Sequence, residues 1–215
     1  GRETAIVVTP EIRNASSSIP KTLAEDVQKA LANNFGTYSS MIVFIDSTTE
    51  DELNALLQFT GVTDKRQEER RQTLGQKAHY AIIPVIQRTN ESKYVLSVTL
   101  LDIRTGFRRI QVKTKAYNSY TQLTSRPGAV DEAILLMCDE LGVKLSSIEQ
   151  KALTEGEQSL DAEDLQTLSE EKIDDAETAI SILETLKRSD STHQSFYDAR
   201  IAEQKQRIGR ALSDA

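Results

Sequence analysis

Apolar residues along this chain follow two periods, and the changes between them mark the expected elements. Thr4–Thr9 is a short β-branched run closed by Pro10, which predicts a strand. Asn14–Ser18 reads as a polar loop. In Lys21–Asn34, Leu23, Val27, Ala30 and Leu31 fall at i, i+4, i+7 and i+8, the spacing of one buried helical face. Asn33-Asn34-Phe35-Gly36 predicts its stop. Met41–Ile45 is apolar at every position, which predicts a strand covered on both faces. Asp46, Ser47, Thr48 and Thr49 offer caps for a helix over Glu50–Phe59 with Leu53, Leu56 and Leu57 inward. The charged stretch Asp64–Arg71 leads into a further helix ending near Gly75. His79–Gln87 predicts a strand. Lys93–Ile103 predicts another, with Tyr94, Leu96, Val98 and Leu100 alternating against Val95, Ser97, Thr99 and Leu101. Arg104-Thr105-Gly106 closes a hairpin onto Phe107–Tyr117, and Ala129–Leu141 is a helix stopped by Gly142.

From Ser146 onward the period stays helical. Ser146 and Glu149 have capping-box spacing. A short helix is expected over Asp161–Leu168. Glu171–Arg188 carries a stripe of Ile173, Ala176, Ile180, Leu183 and Leu186, and Phe196–Leu212 carries Tyr197, Ile201, Ile208 and Leu212. Two amphipathic helices joined by the polar link Ser189–Thr192 predict an antiparallel hairpin. The pattern as a whole predicts an α/β (α+β) fold: a mixed sheet of about five strands flanked by helices, followed by an all-α C-terminal helical hairpin. The expected division is a mixed domain over 1–145 and a helical region over 146–215. The hairpin must pack its apolar face on the front domain or on a partner, so Ile180, Leu183, Tyr197, Ile201 and Ile208 form a candidate helical interface.

Charge sharpens that division. The chain has 215 residues and a net charge of −7, but residues 149–215 carry −8 and residues 1–148 carry +1. All four prolines lie before residue 128, as expected if the back is helical. One cysteine excludes a disulfide framework, and no apolar run approaches the ~20 residues of a membrane helix. Net acidity argues against a general nucleic-acid binder. The chain opens on Gly1 without Met, which predicts that a leader or anchor has been removed.

Reaction chemistry is sparse. No Gly-rich phosphate loop, HExxH or Gly-x-Ser-x-Gly occurs. No catalytic residue, metal site or cofactor is expected, and Cys138 reads as a small buried hydrophobe. Adjacent carboxylates such as Asp51 and Glu52 point in different directions on a helix and share no proton. Asp46, His79 and Asp102 lie at strand ends; a cleft that joined them would make a small-ligand or hydrolytic site, the alternative reading. The basic set Arg104, Arg108, Arg109, Lys113 and Lys115 is a candidate docking patch for an anionic partner. On a strand, Arg109, Lys113 and Lys115 share one face and Ile110 and Val112 the other. The same pattern also suits a protected edge strand.

Phe44-Ile-Asp-Ser-Thr-Thr-Glu-Asp-Glu-Leu-Asn-Ala-Leu-Leu-Gln, Thr60-Gly-Val-Thr-Asp, Leu74-Gly-Gln-Lys-Ala-His-Tyr-Ala-Ile-Ile-Pro-Val-Ile and Tyr94-Val-Leu-Ser-Val-Thr-Leu-Leu-Asp-Ile-Arg-Thr-Gly together resemble the CsgG/LpoB-type envelope lipoprotein domain, itself similar to the amino-terminal domain of TolB. The resemblance spans roughly residues 4–145. Its most specific piece is Leu101-Asp-Ile-Arg-Thr-Gly, which also has a plain local cause in a tight hairpin. His79 stands where the family usually has Asp, and Pro84-Val85 where it has Gly-Ser. The resemblance implies a non-enzymatic, lipid-anchored periplasmic protein, held at the outer membrane. Its implied partner is another envelope protein or a second copy, within a secretion or peptidoglycan-synthesis machine. Nucleic acid is not an expected partner, and membrane contact would come only through the removed anchor.

Overall fold

The computed structural model describes residues 3–62, 64–171 and 176–214. Six strands form one mixed sheet: β1 Thr4–Val7, β2 Glu11–Arg13, β3 Ile42–Phe44, β4 Tyr80–Arg88, β5 Tyr94–Asp102 and β6 Arg108–Lys113. The order is β3-β1-β4-β5-β6, with β2 also against β4. β1 runs parallel to β3 and β4, whereas β4, β5 and β6 form an antiparallel meander. The helices are α1 Leu23–Ser39, α2 Ser47–Gln58, α3 Lys65–Lys77, α4 Ala129–Leu141, α5 Ser147–Glu155, α6 Ala162–Glu171, α7 Ala176–Ser189 and α8 Gln194–Asp214. The α/β class expected from the sequence is observed. No helix among the described residues is long and apolar enough to cross a membrane.

β2 is the strand that the sequence pattern missed. Val7 pairs with Ile82 and Glu11 with Val85, so the β1–β2 side spends four steps where β4 spends three. The surplus residue falls around Pro10, which has no N–H to give to a ladder. It changes the parity of the strand. Ala5 and Val7 sit in the main core; without the shift, Glu11 and Arg13 would follow them into it. With the shift, Ile12 packs against that core while Glu11 and Arg13 stand exposed on the opposite face.

The two faces of the sheet carry separate apolar clusters. On one, Val7, Ile82, Leu96, Val98 and Val112 meet α1 through Val27, Leu31 and Phe35 and α4 through Ala133, Ile134 and Met137. On the other, Ile6, Val8, Ala81, Leu101 and Ile103 meet Leu53 of α2 and Leu74 of α3. Each fully buried aliphatic side chain contributes about 1.5–3 kcal/mol.

Three local expectations change. α1 passes through Asn33–Gly36 and ends only at Ser40, which takes a left-handed conformation (φ 64°). Burial of Phe35 and Tyr38, each at most 2% exposed, outweighs the weak helix propensity of that stretch. A Cβ on Gly36 would meet Val43 at 3.6 Å, an ordinary van der Waals contact, so the helix passes this glycine beside β3 without requiring it. β3 is an edge strand and its cover is partial: Val43 and Phe44 pack half-buried against the two clusters, one on each face, but Ile42 is 42% exposed, as is Ile45 just beyond it at 43%. The charged run before Gly75 is itself the first half of α3, capped by Asp64, whose Oδ1 accepts the Gln67 N–H at 2.9 Å.

α4 starts and stops, and α5 starts, as the sequence predicts, with Gly142 in the left-handed region after α4 and the Ser146/Glu149 capping box before α5. Gly128 precedes α4 because a Cβ there would meet the Gln122 and Ser125 carbonyl oxygens at 2.4 Å. α7 and α8 pack on each other as the expected hairpin, and α7 also packs on α1. Leu160, Leu165, Leu183, Leu186, Tyr197 and Ile201 belong to the same apolar cluster as α1 and α4. The 1–145 and 146–215 segments therefore share one core. Ile173 lies outside the described residues, as do the side chains of Ala176, Ile208 and Leu212.

Candidate interaction surface

The α2–α3 layer covers only part of its sheet face. Beyond it lies a shallow trough of about 520 Å³ formed by β2, β4, β5 and β6. The registers define its rows: Glu11–Val85–Ser97–Lys113, then Ile83–Thr99–Gln111 on one side and Arg13–Gln87–Val95 on the other. Its floor is Ile83, Val85 and Val95 with the small polar Ser97 and Thr99 between them, and its rim is charged. Arg13 Nε lies 3.2 Å from Glu11 Oε1, so that pair cancels. Arg109 and Lys113 stand exposed on the opposite rim, and among the described residues neither has an ion-pair partner.

The basic set divides. Arg109 and Lys113 are on the trough, with Gln111 between them on the same face. Arg104 sits in the β5–β6 turn, where its Nη2 donates to Tyr80 Oη at 3.0 Å and to Glu3 Oε1 at 3.3 Å. Its guanidinium also lies over the Tyr80 ring, 5.1 Å from the centroid. Arg108 has the opposite strand parity, across from Asp102. Lys115 lies past the end of β6; its N–H donates to Glu132 Oε2 at 3.0 Å and its Nζ covers Tyr117 at 5.2 Å. Five basic residues close in sequence thus reach four different environments.

Asp46, His79 and Asp102 each have a local task. Asp46 caps α2, accepting the Thr49 N–H at 3.1 Å, and the Thr49 hydroxyl and N–H hold its carboxyl below the usual range. His79 Nδ1 accepts the Thr4 N–H at 3.2 Å. Asp102 Oδ1 accepts the Arg104 N–H at 3.0 Å and shapes the turn. His79 and Asp46 sit at opposite ends of the β1 register, about 13 Å apart along the strands at ~3.3 Å per residue. They form no common cleft. Among the described residues no His, Cys, Asp and Glu group is placed to hold a metal ion.

The candidate helical interface is turned inward. Leu183 and Tyr197 are 1% exposed, Ile201 is buried, and Ile180 packs partly buried against the same core. Ile208 lies outside the described side chains. A second groove, of about 610 Å³, runs between α2 and α3 beside Phe59, with Glu52, Glu69, Arg66 and Arg70 on its walls.

Against the α1–α4 cluster, Tyr117 shows the one large acid–base perturbation among the described residues. Burial, and then the neighbouring Glu132 carboxylate that accepts from its hydroxyl, push its pKa up to about 12. A phenol with a raised pKa contributes stability that is complete below its unfolded value of about 10 and is lost as pH climbs through the folded value. The window is therefore pH 10 to about 12. Ultraviolet titration at 295 nm should show a late-titrating tyrosine that Tyr117→Phe removes; an unchanged late phase would refute the assignment.

The sequence pattern hid the trough because half of it depends on the parity change at Pro10. The one signal available was Ser97 and Thr99 interrupting the apolar alternation of β5 on a single face.

No family model matches this chain, and no curated protein matches it. Among solved structures it is similar to the PelC dodecamer from Paraburkholderia phytofirmans, with 17% identity over 67% of this chain and 90% of that one and a TM-score of 0.39. It is also similar to the lipoprotein GNA1162 from Neisseria meningitidis, with 13% identity over 66% of this chain and 99% of that one and a TM-score of 0.33. Likenesses this loose define neither a family nor an activity.

Proposed function

We propose that this chain is a non-enzymatic protein-interaction module of the bacterial envelope, which docks a partner on its open sheet face. One observation carries the reading: Ile83 packs partly against the α2–α3 cluster, but Val85 and the Ser97–Thr99 strip beside it, all half-buried, line a trough to which no helix among the described residues contributes a side chain. A partly apolar floor with a polar rim is the usual anatomy of a docking site. The envelope assignment, a periplasmic and lipid-anchored location included, rests on the resemblance of the Phe44–Gly106 segments to the CsgG/LpoB type.

A photo-crosslinking residue placed at Val85 tests this in cells that make the full chain. Adducts are expected from position 85 and not from a control at the exposed Lys144. If illumination gives the same pattern at both positions, or nothing at 85, the reading fails.

A further inference from the structure

The shape of the trough restricts what can lie in it. Backbone groups of β4 and β5 are committed to ladders on both sides, so the face offers side chains alone. An extended peptide lying across the floor would gain no main-chain hydrogen bonds; strand addition would use the free edge of β6 or β2, beside the trough and not in it. The α2–α3 layer leaves only part of this face open, so a stacked sheet broader than the four-strand floor would meet those helices. A helix fits: from β2 to β6 the floor is about 14 Å wide at ~4.8 Å per strand, against a helix diameter of 10–12 Å. It would extend the existing helical layer and bring a backbone that is already satisfied.

Charge then selects the helix. The Glu11–Arg13 pair neutralises one rim, and the exposed Arg109 and Lys113 give the other rim a charge of +2. By contrast, the groove between α2 and α3 carries two acids and two bases and favours neither sign. We infer that the occupant of the open sheet face is an amphipathic helix of a partner protein, its apolar stripe on the half-buried Ile83 and Val85 and its acidic flank along Arg109 and Lys113. This rests on the proposed docking function and names the chemistry of the partner. Apolar contact sets the affinity, and the acidic flank sets the orientation and the rate of encounter.

The test is an unbiased selection. A display library of helix-forming 18-residue peptides, randomised around an alanine framework, is panned on the full chain. The expected winners carry apolar residues at i, i+3, i+4 and i+7 and acidic residues on one flank, and their amide-exchange footprint falls on β4–β6. Val85→Arg should weaken them roughly tenfold or more. The double variant Arg109→Glu/Lys113→Glu should instead reverse the preference from acidic to basic flanks, a readout that misfolding cannot give. No enrichment, winners of neutral or basic character, or a footprint on the α2–α3 groove overturns the inference. Adducts at position 85 in cells combined with any of those results would leave the docking function standing and remove only the acidic helix.

Discussion

Replacing Tyr197 by alanine lowers the stability of the whole chain, not of the C-terminal helices alone, by about 3–5 kcal/mol. Tyr197 is 1% exposed and sits in the cluster that also holds Leu31, Phe35 and Met137. Its ring makes an edge contact with Phe196, centroids 5.3 Å apart. Losing the ring leaves a cavity where α8 meets the rest of the core, and the surrounding helices cannot collapse into it fully. Because α7 packs on α1, the loss propagates to the sheet. Urea unfolding followed by both far-ultraviolet dichroism and tyrosine fluorescence should remain one coincident transition, moved to lower denaturant. Phe196→Ala is the control: that ring is 39% exposed, and its loss should cost under about 1 kcal/mol. Two separated transitions, with the fluorescence of the front unmoved, would mean that 146–215 is an independent unit after all.

Asp131→Ala is expected to cost a comparable 3–5 kcal/mol. The side chain is fully buried in the first turn of α4, and Arg126 Nε lies 3.0 Å from its carboxylate. The amino end of the helix favours a negative charge there. Arg126 in turn reaches Asn34 Oδ1 of α1 at 3.5 Å, and its carbonyl accepts from Gln158 Nε2 at 2.8 Å. One carboxylate thus ties α4, α1 and the segment after α5 at a single point. Alanine removes it and leaves a mostly buried guanidinium without its anion. Asp131→Asn keeps the shape and should lose less. A double-mutant cycle with Arg126→Ala should give a coupling above about 1 kcal/mol. Additive single-mutant losses would show that the pair is only a surface ornament on the helix cap.

How far these features could be seen beforehand varies with their physical origin. Strand alternation in β4 and β5, the apolar face of α4 and the capping box of α5 follow from local rules, since side-chain direction is set by the period of the element. Ile180, Leu183, Tyr197 and Ile201 were visible as a stripe, but a stripe does not say whether it closes on its own chain or on another. Only the docking of α7 on α1 decided that.

What the amino-acid sequence determined by itself is therefore the inventory: a mixed sheet, its helices, their caps, and the charge contrast between front and back. Tertiary structure alone decided exposure. It made β3 an edge, sent Arg104, Arg108 and Arg109 to different surroundings, and kept His79 and Asp46 apart. It also turned Glu11 and Arg13 outward through one surplus residue at Pro10. The reason is that period is a property of neighbours in the chain, whereas burial depends on which distant elements arrive, and a one-residue change of register reverses it.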